Sequence, residues 1–292
     1  MSGENTAARL GYVGLGNIGA PMAGRLAGWG GGLTVSDLSD EAVDKLTEKG
    51  AQAADSPAEL ATMADIIGIC VVNDGQVRSV VGELLTTAAP GTVITVHSTI
   101  SPETAVTLAA QCAEKGVQLL DAPISGGAPG AELGRLAIMF GGPRAAYDRV
   151  EAPFSLAGDM LVHAGEEVGA GTKMKLARNL LHFISFNAAA EAQRLAEAAG
   201  LDITTLGRVV RHTDAITGGA GAIMLRETTA EIEPDDFWYE VFSHVVDLGE
   251  KDLSLALQLG AELGVDLPLG EIARRDLAAG FGIPTTKGST PS

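Results

Sequence analysis

Between residues 9 and 166 the apolar positions fall in short unbroken runs, separated by stretches with helical spacing. The runs are RLGYVGLG (9–16), GLTVSD (32–37), IIGICVVN (66–73), TVITVHS (92–98), VQLLDAP (117–123), RLAIMFGG (135–142) and MLVHAG (160–165). IIGICVVN is apolar on both alternating faces, as a central strand covered on both sides requires. Helices are expected over Asn17 to Trp29, over Asp40 to Lys49, after Pro102 and near Pro143 to Val150. Strands alternating with helices predict a parallel sheet with helices packed on it.

Beyond Gly171 the rhythm changes. Thr172 to Ala199 contains neither Pro nor Gly and is rich in strong helix formers, which predicts one helix of roughly 40 Å. Further helical spacing covers 203–213, 236–247, 250–263 and 268–279, and the chain closes on the polar tail TTKGSTPS. The expected organisation is an α/β domain over 1–166, a helix region joining the domains over 167–200, and an all-helical domain over 201–292.

Gly14, Gly16 and Gly19 form G-x-G-x-x-G, with Asn17 and Ile18 between them, after a strand and at the opening of a helix. The first glycine permits a tight turn, the second lets backbone approach a pyrophosphate, and the third lets helix and strand pack closely. The helix N-terminus offers its amides to the phosphates. Asp37 ends the next strand, 23 residues after Gly14, where a carboxylate can accept hydrogen bonds from both ribose hydroxyls. The α/β part is therefore expected to be a Rossmann-type dinucleotide-binding domain. A 2′-phosphate beside Asp37 would meet like charge, and Leu38, Ser39 and Asp40 supply no arginine. NAD is the expected cofactor, unless Arg25 or another distant cation folds back. Asn73 and Asp74 follow the central strand and are candidate cofactor contacts. Ser98 and Thr99 stand at the same end of the next strand, either as cofactor or substrate contacts or as caps of the helix after Pro102.

Composition narrows the partners. The net charge of −17 disfavours nucleic acid and anionic membrane surfaces, while leaving room for a basic pocket that takes a small carboxylate. Cys70 and Cys112 lie in apolar segments and read as buried reduced thiols. No apolar run reaches 18 residues, and the start MSGENTAARL is polar. A cytoplasmic enzyme without metal is the expectation.

A dehydrogenase needs a group to take the hydroxyl proton. No histidine has an evident carboxylate partner; His182 sits among Leu180, Leu181 and Phe183 and reads as packing. The stretch GAGTKMKLARN (169–179) places two lysines where the long helix begins. Lys175 and Asn179 share a face at i,i+4, presenting a base and an amide to one ligand, whereas Lys173 points elsewhere and reads as a solvated lysine. DAPISGG (121–127) supplies either a carboxylate-binding wall through Ser125, Gly126 and Gly127 or a plain Gly-rich turn.

Together these motifs resemble the β-hydroxyacid dehydrogenase family, over nearly the whole chain. GYVGLGNIGAPMAGRL is similar to its cofactor fingerprint, DAPISGG to its substrate turn, GAGTKMKLARN to its catalytic segment, and KDLSLA (251–256) to its later Lys-Asp motif. The resemblance implies Lys175 as general acid/base, Asn179 and the Ser125–Gly127 turn on the substrate, and Lys251 near substrate and nicotinamide. It also implies a homodimer or homotetramer. Asn73-Asp74 replaces the family's usual Leu-Pro, and the segment holding Phe237, Trp238 and Tyr239 departs from it; Trp238 is a candidate wall of the substrate pocket. The expected reaction is reversible hydride transfer between NAD and a small 3-hydroxy acid. Imine or other carbonyl reduction on the same fold is one alternative, and a non-catalytic dinucleotide sensor is another.

Overall fold

The structure, a computed structural model, describes residues 7–284. The polar start MSGENT and the tail TTKGSTPS lie outside the described residues. The chain divides into two compact units, Met1–Arg178 and Asn179–Ser292.

The first unit begins with β1 (Leu10–Val13), α1 (Gly19–Leu26), β2 (Leu33–Ser36), α2 (Asp40–Thr47), a two-residue β3 (Gln52–Ala53) and α3 (Pro57–Met63). It continues with β4 (Ile66–Ile69), α4 (Asp74–Leu84), β5 (Val93–Val96), α5 (Pro102–Glu114) and β6 (Gln118–Asp121). These six strands are parallel in the order β3-β2-β1-β4-β5-β6, the arrangement of a dinucleotide-binding sheet. Then follow β7 (Ile124–Ser125), α6 (Gly127–Leu133), β8 (Ala137–Gly141), α7 (Arg144–Phe154) and β9 (Met160–Gly165). β8 runs antiparallel to β6 and β7 and parallel to β9.

Every residue of β1, β2, β4 and β5 is buried, which is why these strands read as continuous apolar runs instead of alternating ones. One apolar layer, including Tyr12, Leu26, Phe140 and Phe154, covers one face, and another, including Ile67, Val81 and Leu108, covers the other. In this unit α2, α3, α4 and α5 start on a local side-chain cap. Ser39, Ser56, Asn73 and Ser101 each accept the backbone N–H three residues on, a contact worth about 1 kcal/mol per helix.

The last residues of five strands lie in one register row, Ser36–Val13–Ile69–Val96–Asp121. All the loops that follow them leave from that edge of the sheet.

His97 sits just past this row and is a core residue. Its ring stacks on Tyr12, with centroids 6.0 Å apart, and packs against Phe154 at 4.8 Å. Its nitrogens lie 2.9 Å from the Ala122 carbonyl oxygen and 3.0 Å from Thr95 Oγ1. Burial pushes its pKa down to about 4, so the ring is neutral.

Helix α8 (Ala170–Ala198) starts in the first unit and continues into the second. The second unit adds α9 (Ile203–Thr217), a short 3-10 turn at Gly219–Gly221, α10 (Phe237–Leu263) and α11 (Pro268–Gly280). The break expected near Gly249 is absent. α10 runs through it, and the missing side chain makes room for Leu277 of α11, whose Cδ2 would lie 2.7 Å from a Cβ at Gly249. α11 is capped from a distance, by buried Glu191 accepting from the N–H groups of Leu269 and Gly270 at 2.9 and 3.1 Å. No helix among the described residues is long and apolar enough to cross a membrane.

Candidate active site

The glycine loop between β1 and α1 has the geometry its spacing predicts. Gly14 adopts φ 95°, open to glycine at no steric cost, and a side chain there would run into the Cys70 carbonyl. A Cβ at Gly19 would overlap the Gly14 carbonyl oxygen, while one at Gly16 would meet nothing within 4 Å. The second glycine therefore leaves open space beside an exposed backbone. Unlike α2 to α5, α1 has no side-chain cap; Ile18 occupies that position. That uncapped start is where a pyrophosphate would be held. These residues fit a dinucleotide.

Asp37 follows β2 and braces this loop. Its carboxylate accepts the N–H of Leu15 and, at 2.9 Å, that of Ser39. A cavity of about 370 Å³ lies alongside, lined by Gly16, Asn17, Ser39 and Lys45 among others. Lys45 is engaged by Glu41 at 2.7 Å. Arg25, at the other end of α1, donates to the Leu156 carbonyl at 3.1 Å and does not fold back onto this loop.

After β4 and β5 the polar residues divide their work. Asn73 caps α4 through its side-chain oxygen, 3.0 Å from Gln76 N. Asp74 accepts from the Thr104 hydroxyl at 2.6 Å and the Ser101 N–H at 3.0 Å; these bonds hold its pKa below the usual carboxylate range. The Asp74 carboxylate thus ties α4 to the start of α5. The helix after Pro102 is capped by Ser101, not by Ser98 or Thr99. Ser98 is buried and bridges strands instead, donating to Val71 O at 2.7 Å and accepting from Val71 N at 2.9 Å. Thr99 is exposed at the loop end.

Beyond β6, Ser125 pairs with Ala137 of β8, and Gly126 and Gly127 are exposed with φ 131° and 64°. The turn is thus both a short strand connection and an open run of backbone. Asp121, the last residue of β6, is wholly buried. It accepts the N–H groups of Gly169 and Thr172, each at 2.6 Å, at the start of α8. Burial raises its pKa, against the lowering effect of those bonds.

Lys175 lies one turn further along α8. Only 8% of it is exposed, whereas Lys173 is exposed. Loss of hydration lowers the Lys175 pKa, and the positive charge of Arg178 lowers it further. Asn179 follows on the same helix face, half-buried. In the second unit Lys251 is exposed on α10, 3.1 Å from Asp252. Trp238 belongs to an aromatic cluster, stacked on Phe242 at 5.4 Å and edge-on to Phe237 at 5.0 Å. Cys112 is buried and Cys70 half-buried, and both thiols are free.

Two family models cover the chain. The NAD binding domain of 6-phosphogluconate dehydrogenase matches residues 9–165, and the NAD-binding domain of NADP-dependent 3-hydroxyisobutyrate dehydrogenase matches 169–281. A 3-hydroxyisobutyrate dehydrogenase of Pseudomonas aeruginosa is 36% identical, over 91% of this chain and 89% of its own length. The chain belongs to the 3-hydroxyisobutyrate dehydrogenase family. It is an NAD(P)-binding oxidoreductase. The crystal structure of a putative oxidoreductase from Mycobacterium avium is 56% identical to this family member, with a TM-score of 0.92 over 95% of this chain and all of that one. An imine reductase of Streptomyces aurantiacus shares the fold at 22% identity, with a TM-score of 0.73 over 94% of this chain and 96% of that one.

Proposed function

We propose that this member catalyses reversible hydride transfer between NAD and a small 3-hydroxy acid, with Lys175 as general acid/base. The observation that carries the reading is the burial of Lys175, its pKa lowered by lost hydration and by Arg178. A dinucleotide, when bound, supplies the hydride acceptor or donor. In oxidation the neutral amine of Lys175 takes the hydroxyl proton; in reduction the ammonium returns it. Oxidation therefore speeds up as pH rises through the lowered pKa of Lys175, and reduction speeds up as pH falls through it. Ser125, Gly126 and Gly127 offer a hydroxyl and open backbone to the substrate carboxylate, and Asn179 offers its amide one turn beyond Lys175. Lys251 takes its role near substrate and nicotinamide from the family resemblance, and Trp238 its role beside the substrate pocket from position in the divergent segment.

NAD over NADP rests on Asp37. With Arg25 turned away and Lys45 held by Glu41, a 2′-phosphate would meet the carboxylate without an unengaged cation beside it. The test is a panel of 3-hydroxyisobutyrate, glycerate, threonate and related acids, run with both nicotinamides and beside an amine and imine panel. We expect hydroxy-acid turnover with kcat/KM at least tenfold higher for NAD, a difference of about 1.4 kcal/mol. Turnover of amines alone would move the assignment to imine reduction. Equal use of NADP would shift attention to Lys45.

The helical unit also supports self-association. α9 buries none of its residues and exposes Val209, Val210 and Ile216, which suits a second copy of the chain. Light scattering should give a mass of two or four chains, and Ile216→Glu should lower it. A monomer at micromolar concentration would end this part of the reading.

A further inference from the structure

We propose that Asp121 is the positioning residue of this active site, setting where the lysine-bearing turn of α8 stands relative to the substrate turn after β6. The proposal rests on the assignment of Lys175 above.

α8 starts without a cap of its own. Where α2 to α5 use the Ser or Asn immediately before them, α8 is preceded by Gly169, which has no side chain to offer. The amide that such a cap would satisfy, Thr172 N, and the amide of Gly169 itself donate instead to the two oxygens of Asp121, each at 2.6 Å. The acceptor lies 48 residues back in the chain from one donor and 51 from the other. The local sequence of α8 therefore does not set where the helix begins. That position is set by the end of β6. A carboxylate also matches the positive end of the helix dipole, which a neutral side chain would do less well.

The contact around it is close. A Cβ on Gly171 would overlap the Met139 carbonyl oxygen, and one on Gly141 would overlap Asp121 Oδ1 and approach Gly171 N and Ala170 N at 2.6 and 2.8 Å. The first turn of α8 is thus pressed onto the ends of β6 and β8, with glycines on both sides of the contact. From this anchor two short paths lead into the site. Along the helix, Thr172 precedes Lys175 by one turn. Along the chain, Ala122, Pro123 and Ile124 lead to Ser125, which β8 holds through Ala137. Desolvation and Arg178 lower the lysine's pKa; Asp121 acts through the placement of the turn.

The test is Asp121→Asn, which keeps the size, retains one acceptor, and sets an NH2 group against the other amide. Catalysis is sensitive to displacements of about 1 Å at the level of roughly 100-fold. We expect kcat for hydroxy-acid oxidation to fall about 10- to 100-fold, with KM changing less, and NADH affinity to stay within about threefold. The pH profile of oxidation should move to higher pH, because a loosened first turn lets water reach Lys175. Gly171→Ala, which displaces the same turn without touching the carboxylate, should give the same pattern. Lys175→Ala is measured alongside. An inactive Lys175→Ala beside an Asp121→Asn enzyme with parental kcat and pH profile overturns the role of Asp121 alone. A fully active Lys175→Ala overturns the lysine assignment on which the proposal stands. Failure of both Asp121→Asn and Gly171→Ala to fold would make Asp121 a folding residue and end the proposal as well.

Discussion

Replacing Lys175 by alanine is expected to lower kcat by about 10²- to 10⁴-fold, the usual worth of a positioned general acid/base. Binding of NADH should be almost unchanged, because Gly14, Gly16, Gly19 and Asp37 are untouched. Lys173→Ala should stay within a few-fold of the parent: Lys173 is exposed, whereas Lys175 is buried. Steady-state turnover on a hydroxy acid, together with NADH titration of both variants, checks the pair. An inactive Lys173→Ala beside an active Lys175→Ala would mean that the reacting face of the helix has been read one register off.

The second large effect is expected in the glycine loop. A methyl group at Gly19 would overlap the Gly14 carbonyl and sit 3.4 Å from the Cys70 side chain. Backbone faces it on the near side, so the start of α1 must move off β1. NADH affinity of Gly19→Ala should fall by about 100-fold, equivalent to about 2.7 kcal/mol. Gly16→Ala provides the contrast. Its added methyl meets nothing within 4 Å, so the melting temperature should hold while NADH binding weakens, since the methyl enters the space left for the pyrophosphate. Calorimetric melting and fluorescence titration of both variants separate the two effects. A Gly16→Ala protein that binds NADH like the parent would show that this gap is not where the phosphates lie.

Much of this was legible in the chain because the deciding signals are local. Strands buried on both faces appear as unbroken apolar runs, so β2, β5 and β6 could be placed to within two residues, while the runs for β1 and β4 extend three and four residues past the strand ends into the loops. The glycine loop and the Lys175–Asn179 pair are contained in single short segments, and a helix period is enough to separate Lys175 from Lys173. What was missed depends on partners distant in sequence. The role of Asp121 requires knowing that Gly169 and Thr172 come to the end of β6. Likewise Gly249 reads as a helix breaker until Leu277 is seen to pack where its side chain would be. β3 and β7, two residues each, are too short to carry a period. Helices α3 and α4 did carry start signals in Ser56-Pro57 and Asn73. At Asn73 the position after the strand suggests a cofactor contact, while its side-chain oxygen is engaged in capping α4.

The common finishing line of the parallel strands has a consequence for how this site can change. Ser36, Val13, Ile69, Val96 and Asp121 stand level, so each outgoing loop starts from the same height above the sheet and can be rewritten wherever the bonds that Asp37, Asp74 and Ser98 make to neighbouring loops are kept. Losing one residue inside a strand is a different kind of event. It would lower that loop by about 3.3 Å and turn every following side chain of the strand to the opposite face. New substrate preferences in this lineage should therefore arise by substitution and length change after the row. Within the strands, alignment gaps should be selected against even where the apolar residues themselves are freely exchanged.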